Sequence, residues 1–170
     1  MVKRDNNKPF KKEQSDLEKV VVSIRRVTKV VKGGRTLHFA VTMVVGNKKG
    51  KVGIGSGKAS DTTSAIDKAF QNAKKNMVEI AVVGTTIPHN TFGKFGTSTV
   101  LLMPGKEGSG IIAGGAVRSV VDLAGIKDIV CKTHGSRNKI NVVKATLNGL
   151  QSLKTREQVA ALRGKNPEEL

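Results

Sequence analysis

Tryptophan and tyrosine are missing from these 170 residues, and phenylalanine occurs only five times. Any core must therefore be assembled from Val, Ile, Leu and Ala. One cysteine, Cys131, excludes an internal disulfide framework and fits a reducing cytoplasm. Apolar runs are short and broken by Gly or charge, so no segment is expected to span a membrane. The first residues, MVKRDNNKPF, lack the apolar core of a signal peptide. Acidic residues are scarce, and neither paired carboxylates nor a Ser-His-Asp arrangement stands out. The chain therefore carries no visible catalytic site. Cys131 and His134 lie three apart, but His38 and His89 show no partner spacing, and zinc requires three or four ligands. No metal, cofactor or small-molecule substrate is indicated, and Cys131 reads as a buried thiol.

Positive charge is abundant instead. Thirty Lys and Arg stand against 13 Asp and Glu, a formal charge of +17 with an isoelectric point near 10.3. Like charges at this density repel in a compact chain, and a phosphate backbone relieves that repulsion. The excess is uneven. Residues 1–78 hold 18 basic and 6 acidic side chains, whereas residues 79–170 hold 12 and 7. The first half is the polyanion-binding half, and the second has room for protein contacts.

The patterning predicts an α+β chain. Residues 1–16 are a polar basic arm with almost nothing to bury, read as disordered. Residues 17–78 read as three antiparallel strands and one helix. The first strand, Leu17 to Val31, shifts its apolar phase, which suggests a bulge near Arg25–Arg26. A turn follows at Lys32–Arg35, where two glycines permit positive φ. Leu37, Phe39, Val41, Met43 and Val45 then share one face of a second strand. Gly46 to Gly50 turns into a third strand, Lys51 to Lys58, with Val52 and Ile54 inward. A helix from Asp61 to Met77 carries Ala65, Ile66, Ala69, Phe70, Ala73 and Met77 in one stripe.

Residues 79–154 read as a β-α-β two-layer unit. Strands are expected at Ile80–Val83, Thr85–Pro88 and Thr97–Met103, the last two joined by a loop with Asn90, Gly93 and Gly96. A Gly-rich loop, Gly105–Gly110, leads into a helix from Ile112 to Ala124. A strand at Asp128–Lys132 and a helix at Asn138–Leu153 follow. In 155–170, Thr155 and Gln158 have capping-box spacing before a short helix that Gly164 and Pro167 end.

Cations gather at the turns. Arg25, Arg26, Lys29, Lys32, Arg35, Lys48, Lys49 and Lys51 are the candidate RNA contacts. Thr28, Gly33 and Gly34 join them within the first hairpin, and Lys58 at the end of the third strand. Gly108-Ser109-Gly110-Ile111-Ile112-Ala113 has the form of a dinucleotide fingerprint, with Asp128 as its acid. The fit fails, because Asp128 begins its strand and the preceding strand is antiparallel. A tight loop against another chain is the better account. Gly57-Lys58-Ala59 lacks the hydroxyl that a P-loop needs for magnesium.

Two longer patterns carry a resemblance. One comprises Gly34-Arg35, Phe39-Ala40-Val41, Val44-Val45-Gly46-Asn47 and Gly50 to Gly55, with Ala65-Ile66 and Ala69-Phe70 beyond. The other comprises Gly110 to Arg118 and Ile140 to Leu150. From about Leu17 to Gly164 the chain closely resembles the bacterial small-subunit ribosomal protein five family. Ser56 departs from it, standing where many relatives carry an aromatic residue. The resemblance implies a double-stranded-RNA-binding-like first domain. It implies a second domain of the ribosomal-protein-five domain 2-like type, shared with GHMP kinases. It implies a cytoplasmic, ribosome-bound protein that binds small-subunit ribosomal RNA, lies beside ribosomal proteins four and eight near the path by which messenger RNA enters, and supports assembly and accuracy. It further implies that Arg26–Arg35 is the loop linked to spectinomycin sensitivity, and that Gly110 and Arg118 sit at the contact with protein four. A free-standing RNA-binding factor or RNA chaperone is the alternative, and an enzyme with a nucleotide loop comes third.

Overall fold

The computed structural model describes residues 17–166; the arm expected over 1–16 and the expected stop at Pro167 lie outside the described residues. The α+β class holds, with two four-stranded sheets. The first sheet has the order β1 (Glu18–Val31), β2 (Gly34–Gly46), β3 (Lys51–Ala59), β4 (Met77–Glu79), all antiparallel, with α1 (Thr62–Lys75) between β3 and β4. The second contains β5 (Thr91–Phe95), β6 (Ser98–Pro104), β7 (Ile111–Ile112) and β8 (Ile129–Gly135), in the order β5-β6-β8-β7. Its helices are α2 (Gly115–Ala124) and α3 (Lys139–Gln151), and α4 (Arg156–Arg163) is the last element among the described residues.

The first sheet is covered on both sides over its inner half. On one side α1 lies against Val41, Met43 and Val45 of β2 and against the glycines of β3. The fit has a metric reason. Alternate residues on a strand repeat about every 6.6 Å, and residues four apart on a helix repeat about every 6 Å. Gly53, Gly55 and Gly57 thus stay in step with Ala73, Ala69 and Ala65. A Cβ built on Gly55 would stand 2.0 Å from the carbonyl oxygen of Ala69, so the helix backbone rests directly on the strand. On the other side Val44 and Val52 join the second domain's core, which holds Val100, Leu102, Val117, Val120, Leu123, Ile129 and Leu150. The two sheets therefore share one hydrophobic core.

The structure moves several expected features. The bulge in β1 lies at Val22, between Val21 and Ser23, not near Arg25–Arg26. There the extra residue lets Val20 and Val22 both pack on the shared core. Leu37 is exposed, because no described residue covers the distal hairpin. Val52 and Ile54 point at the second domain, while the glycines face α1. The strand expected at Ile80–Val83 is replaced by β4, which pairs with Lys51–Gly53 and takes Met77 out of the helix. In place of a strand at Thr85–Pro88, Thr91–Phe95 pairs with β6, so the expected loop around Gly93 is itself a strand. Gly93 is required there: a Cβ would meet the Ala145 carbonyl oxygen of α3 at 2.0 Å. The helix expected from Ile112 starts at Gly115, because Ile111 and Ile112 pair in parallel with β8. β8 itself runs on to Gly135, where it finishes pairing with Ser98 of β6. The capping box of Thr155 and Gln158 is formed as expected.

Candidate nucleic-acid interface

Beyond the α1 contact, β1 and β2 continue as a bare two-stranded ribbon. Every residue from Thr28 to Leu37 is exposed. From Arg25 to Lys32 the strand reaches roughly 23 Å at ordinary β rise. It carries Arg25, Arg26, Lys29, Lys32 and Arg35 and no acidic residue. Pairing sets their faces. Arg25 opposite Ala40 and Lys29 opposite Thr36 share one face, while Arg26 opposite Phe39 and Arg35 opposite Val30 share the other. Lys32 sits at the turn with Gly33, and Gly34 takes φ 141° to begin the return strand. Thr28 lies opposite Leu37 on the same ribbon. A ribbon with cations on both faces and at its tip is suited to lie among phosphates.

The second cluster is differently built. The Asn47–Gly50 turn is docked on the C-terminus of α2. Lys48 N–H donates to the Leu123 carbonyl at 3.0 Å, and Gly50 N–H to that of Ala124 at 2.9 Å. These bonds satisfy carbonyls that a helix end leaves open. The Asn47 carboxamide oxygen accepts from Lys49 N–H at 2.8 Å and Lys51 N–H at 3.0 Å, which shapes the turn. Lys48, with φ 54°, ion-pairs to Glu18 at 2.7 Å, and this bond raises its pKa. Lys49, Lys51 and Lys58 are exposed, and none forms an ion pair among the described residues.

Arg25 is also engaged. Its Nη2 donates to the side-chain oxygen of Asn138 at 3.1 Å, and the same oxygen caps α3 by accepting from Ile140 N–H at 3.3 Å. Sequence reasoning missed Glu18 and Asn138 as partners. Asn138 carried a signal in its position just before an apolar helix, but its link to Arg25 spans 113 residues. His38, on the ribbon's inner part, buries Nδ1 without a partner among the described residues; nothing in the structure explains it.

The Gly105–Gly110 loop is held from below. The Asp128 carboxylate accepts from Gly110 N–H at 2.9 Å. That bond, a second from the Thr85 hydroxyl and a third from the Gly108 N–H hold its pKa below the usual carboxylate range. Asp128 is thus spent on the loop itself, and α2 starts five residues after Gly110. Neither the acid nor the helix N-terminus meets the loop as dinucleotide binding requires. Gly110, with φ 71°, leads into β7. Arg118, on the first turns of α2, donates from Nη2 to the Ile111 carbonyl at 3.1 Å and stays exposed. Cys131 is buried, and burial pushes its thiol up to about 12, so it holds its proton.

Among the described residues, no helix is long and apolar enough to cross a membrane, and no three His, Cys, Asp or Glu side chains gather as a metal site. Two family models match the chain. Ribosomal protein S5, N-terminal domain, matches residues 17–81, and Ribosomal protein S5, C-terminal domain, matches residues 93–163.

Proposed function

This chain belongs to the ribosomal protein S5 family, and from that premise we propose that it grips ribosomal RNA with the ribbon of Arg26, Lys29, Lys32 and Arg35. The family is structural rather than enzymatic, and its members are small-subunit ribosomal proteins that bind ribosomal RNA. The observation that carries the finer reading is the ribbon: two bare strands, cations on both faces, no acid. Lys49, Lys51 and Lys58 add contacts from the body, with Gly33 and Gly34 shaping the tip and Thr28 offering a hydroxyl. Lys48 and Arg25 contribute less than their charge suggests, since each has a partner within the chain.

The Gly110–Arg118 segment serves a protein contact on this account. Gly110 lets a neighbouring backbone approach, and Arg118 presents remaining guanidinium donors to a carboxylate. Ribosomal protein four is the proposed partner there, with protein eight nearby and the path of messenger RNA beside them. Through that contact the chain would bear on codon accuracy.

The test is a salt titration of binding to small-subunit ribosomal RNA. With about six phosphates neutralised, log affinity falls against log salt with a slope of about −4 to −5. Replacing Lys29, Lys32 and Arg35 by Gln flattens the slope by roughly one per cation. An unchanged slope in that variant, with a normal circular dichroism spectrum, would remove the ribbon from the interface.

A further inference from the structure

A cleft of about 520 Å³ lies between α3 and the face of the first sheet that turns toward the second domain. Its composition is ordered. Ala40, Ile54 and Ile140 supply apolar surface, Asn72 and Asn76 supply amides, and Lys58 and Lys144 supply charge. Among the described residues no carboxylate lines it; Asp67 lines an adjoining depression that shares Ser56, Gly57, Lys58 and Asn72 with it. We infer that this cleft receives a single unpaired nucleotide of the ribosomal RNA, with the base against Ile54 and Ile140 and the phosphate between Lys58 and Lys144. The inference rests on the family's ribosomal-RNA binding and assigns one element of it to a site.

The chemistry of the lining selects this ligand class. A volume of this size suits a small ligand or one extruded base. A paired base would have to leave its stack to enter, whereas bulges and loops offer bases already splayed out. Asn72 Nδ2 donates to the Ser56 carbonyl at 2.7 Å, closing the edge of β3 that β4 leaves uncovered. The carboxamide oxygens of Asn72 and Asn76 have no partner among the described residues. Amides that retain free acceptors and donors can read a base edge.

The walls are also held apart at a set width. Lys144 Nζ stands 4.7 Å from the centre of the Phe95 ring, which does not itself line the cleft. Arg25, paired in register with Ala40, is tied to Asn138 at the start of the helix that carries Ile140 and Lys144. The cleft therefore exists before RNA arrives, so binding costs little reorganisation.

The test is an NMR titration of the full chain with each of the four nucleoside 5′-monophosphates and with ribose 5-phosphate. The nucleotides should cause saturable shifts at the methyls of Ala40, Ile54 and Ile140, and ribose 5-phosphate should leave Ile54 and Ile140 unmoved. Lys58→Gln with Lys144→Gln should weaken nucleotide binding roughly tenfold, as loss of a charge-assisted contact does. Lys165→Gln, on the exposed segment after α4, should not. Shifts along the ribbon that are equal for ribose 5-phosphate, or no shifts at all, would overturn the proposal. Ribosomal-RNA affinity measured alongside separates the two readings. Normal affinity with a silent cleft defeats the cleft alone; loss of both defeats RNA binding by this chain. On assembled subunits, ultraviolet crosslinking should join a nucleotide to α3 near Ile140. Crosslinks confined to the ribbon would count against the cleft.

Discussion

The two ends of the β1–β2 hairpin are made by the same strands and obey opposite rules. At the inner end, Val41 to Val45 are buried on both faces, by α1 on one side and the second domain on the other. At the outer end, Val30, Val31 and Leu37 are exposed, and so are the cations between them. Backbone pairing is continuous across both. What differs is cover, and cover determines whether a side chain serves stability or is free to meet a partner. The inner end is constrained by every methyl group, whereas the outer end tolerates change unless RNA is present.

Breaking that contrast should produce its largest effect at glycine. Gly55→Val should destabilise the chain by about 3 kcal/mol or more, since its Cβ would overlap the Ala69 carbonyl of α1. Gly33→Ala, with nothing within 4 Å of the added carbon, should change stability by less than about 0.5 kcal/mol. Chemical denaturation of both variants measures the difference, and equal losses would contradict it. Next come two apolar truncations. Met43→Ala should cost about 2–5 kcal/mol because the side chain is fully buried. Leu37→Ala should cost less than about 0.5 kcal/mol.

A smaller effect concerns the second domain. The folded pKa of Asp128 is depressed, so its contribution to stability is complete above the unfolded aspartate value. It fades as pH falls through the lower folded value. Melting curves of the native chain should therefore drop toward acid. Asp128→Asn should melt lower at neutral pH, and its deficit should shrink as pH falls. A deficit independent of pH would show that the carboxylate's charge is irrelevant to the Gly110 loop.

The smallest effect returns to the body of the first sheet. Glu18→Gln releases Lys48 for a phosphate. Ribosomal-RNA affinity should rise slightly at low salt, and the salt slope should steepen by less than about one. A fall in affinity would mean that the ion pair organises the turn for RNA.

Much of this architecture was legible along the chain. Helices α1, α3 and α4 followed from apolar spacing and caps, because both act within a few residues. Gly125 closes α2 with φ 87°, as a glycine after an apolar stripe suggests. The hairpin cations were legible too, since charge next to paired glycines needs no distant partner. Strands were harder. β4 and β5 are short and depend on partners far along the chain, so their own residues carried weak signals. Lys48 and Arg25 looked free, because Glu18 and Asn138 come near only after folding. The cleft was invisible for the same reason: Lys58 and Lys144 lie on different domains.

By itself the sequence determined the α+β class, the concentration of cations in the first half and the apolar stripe of α1. Those properties depend on composition and on periodicities of two and 3.6 residues, which any short window displays. Tertiary structure alone decided which strand face met which helix, which cations were paired, and that both sheets share a core. Such choices arise from contacts between residues tens of positions apart. A one-dimensional pattern records what each residue offers, but burial and pairing exist only once the partners are brought together.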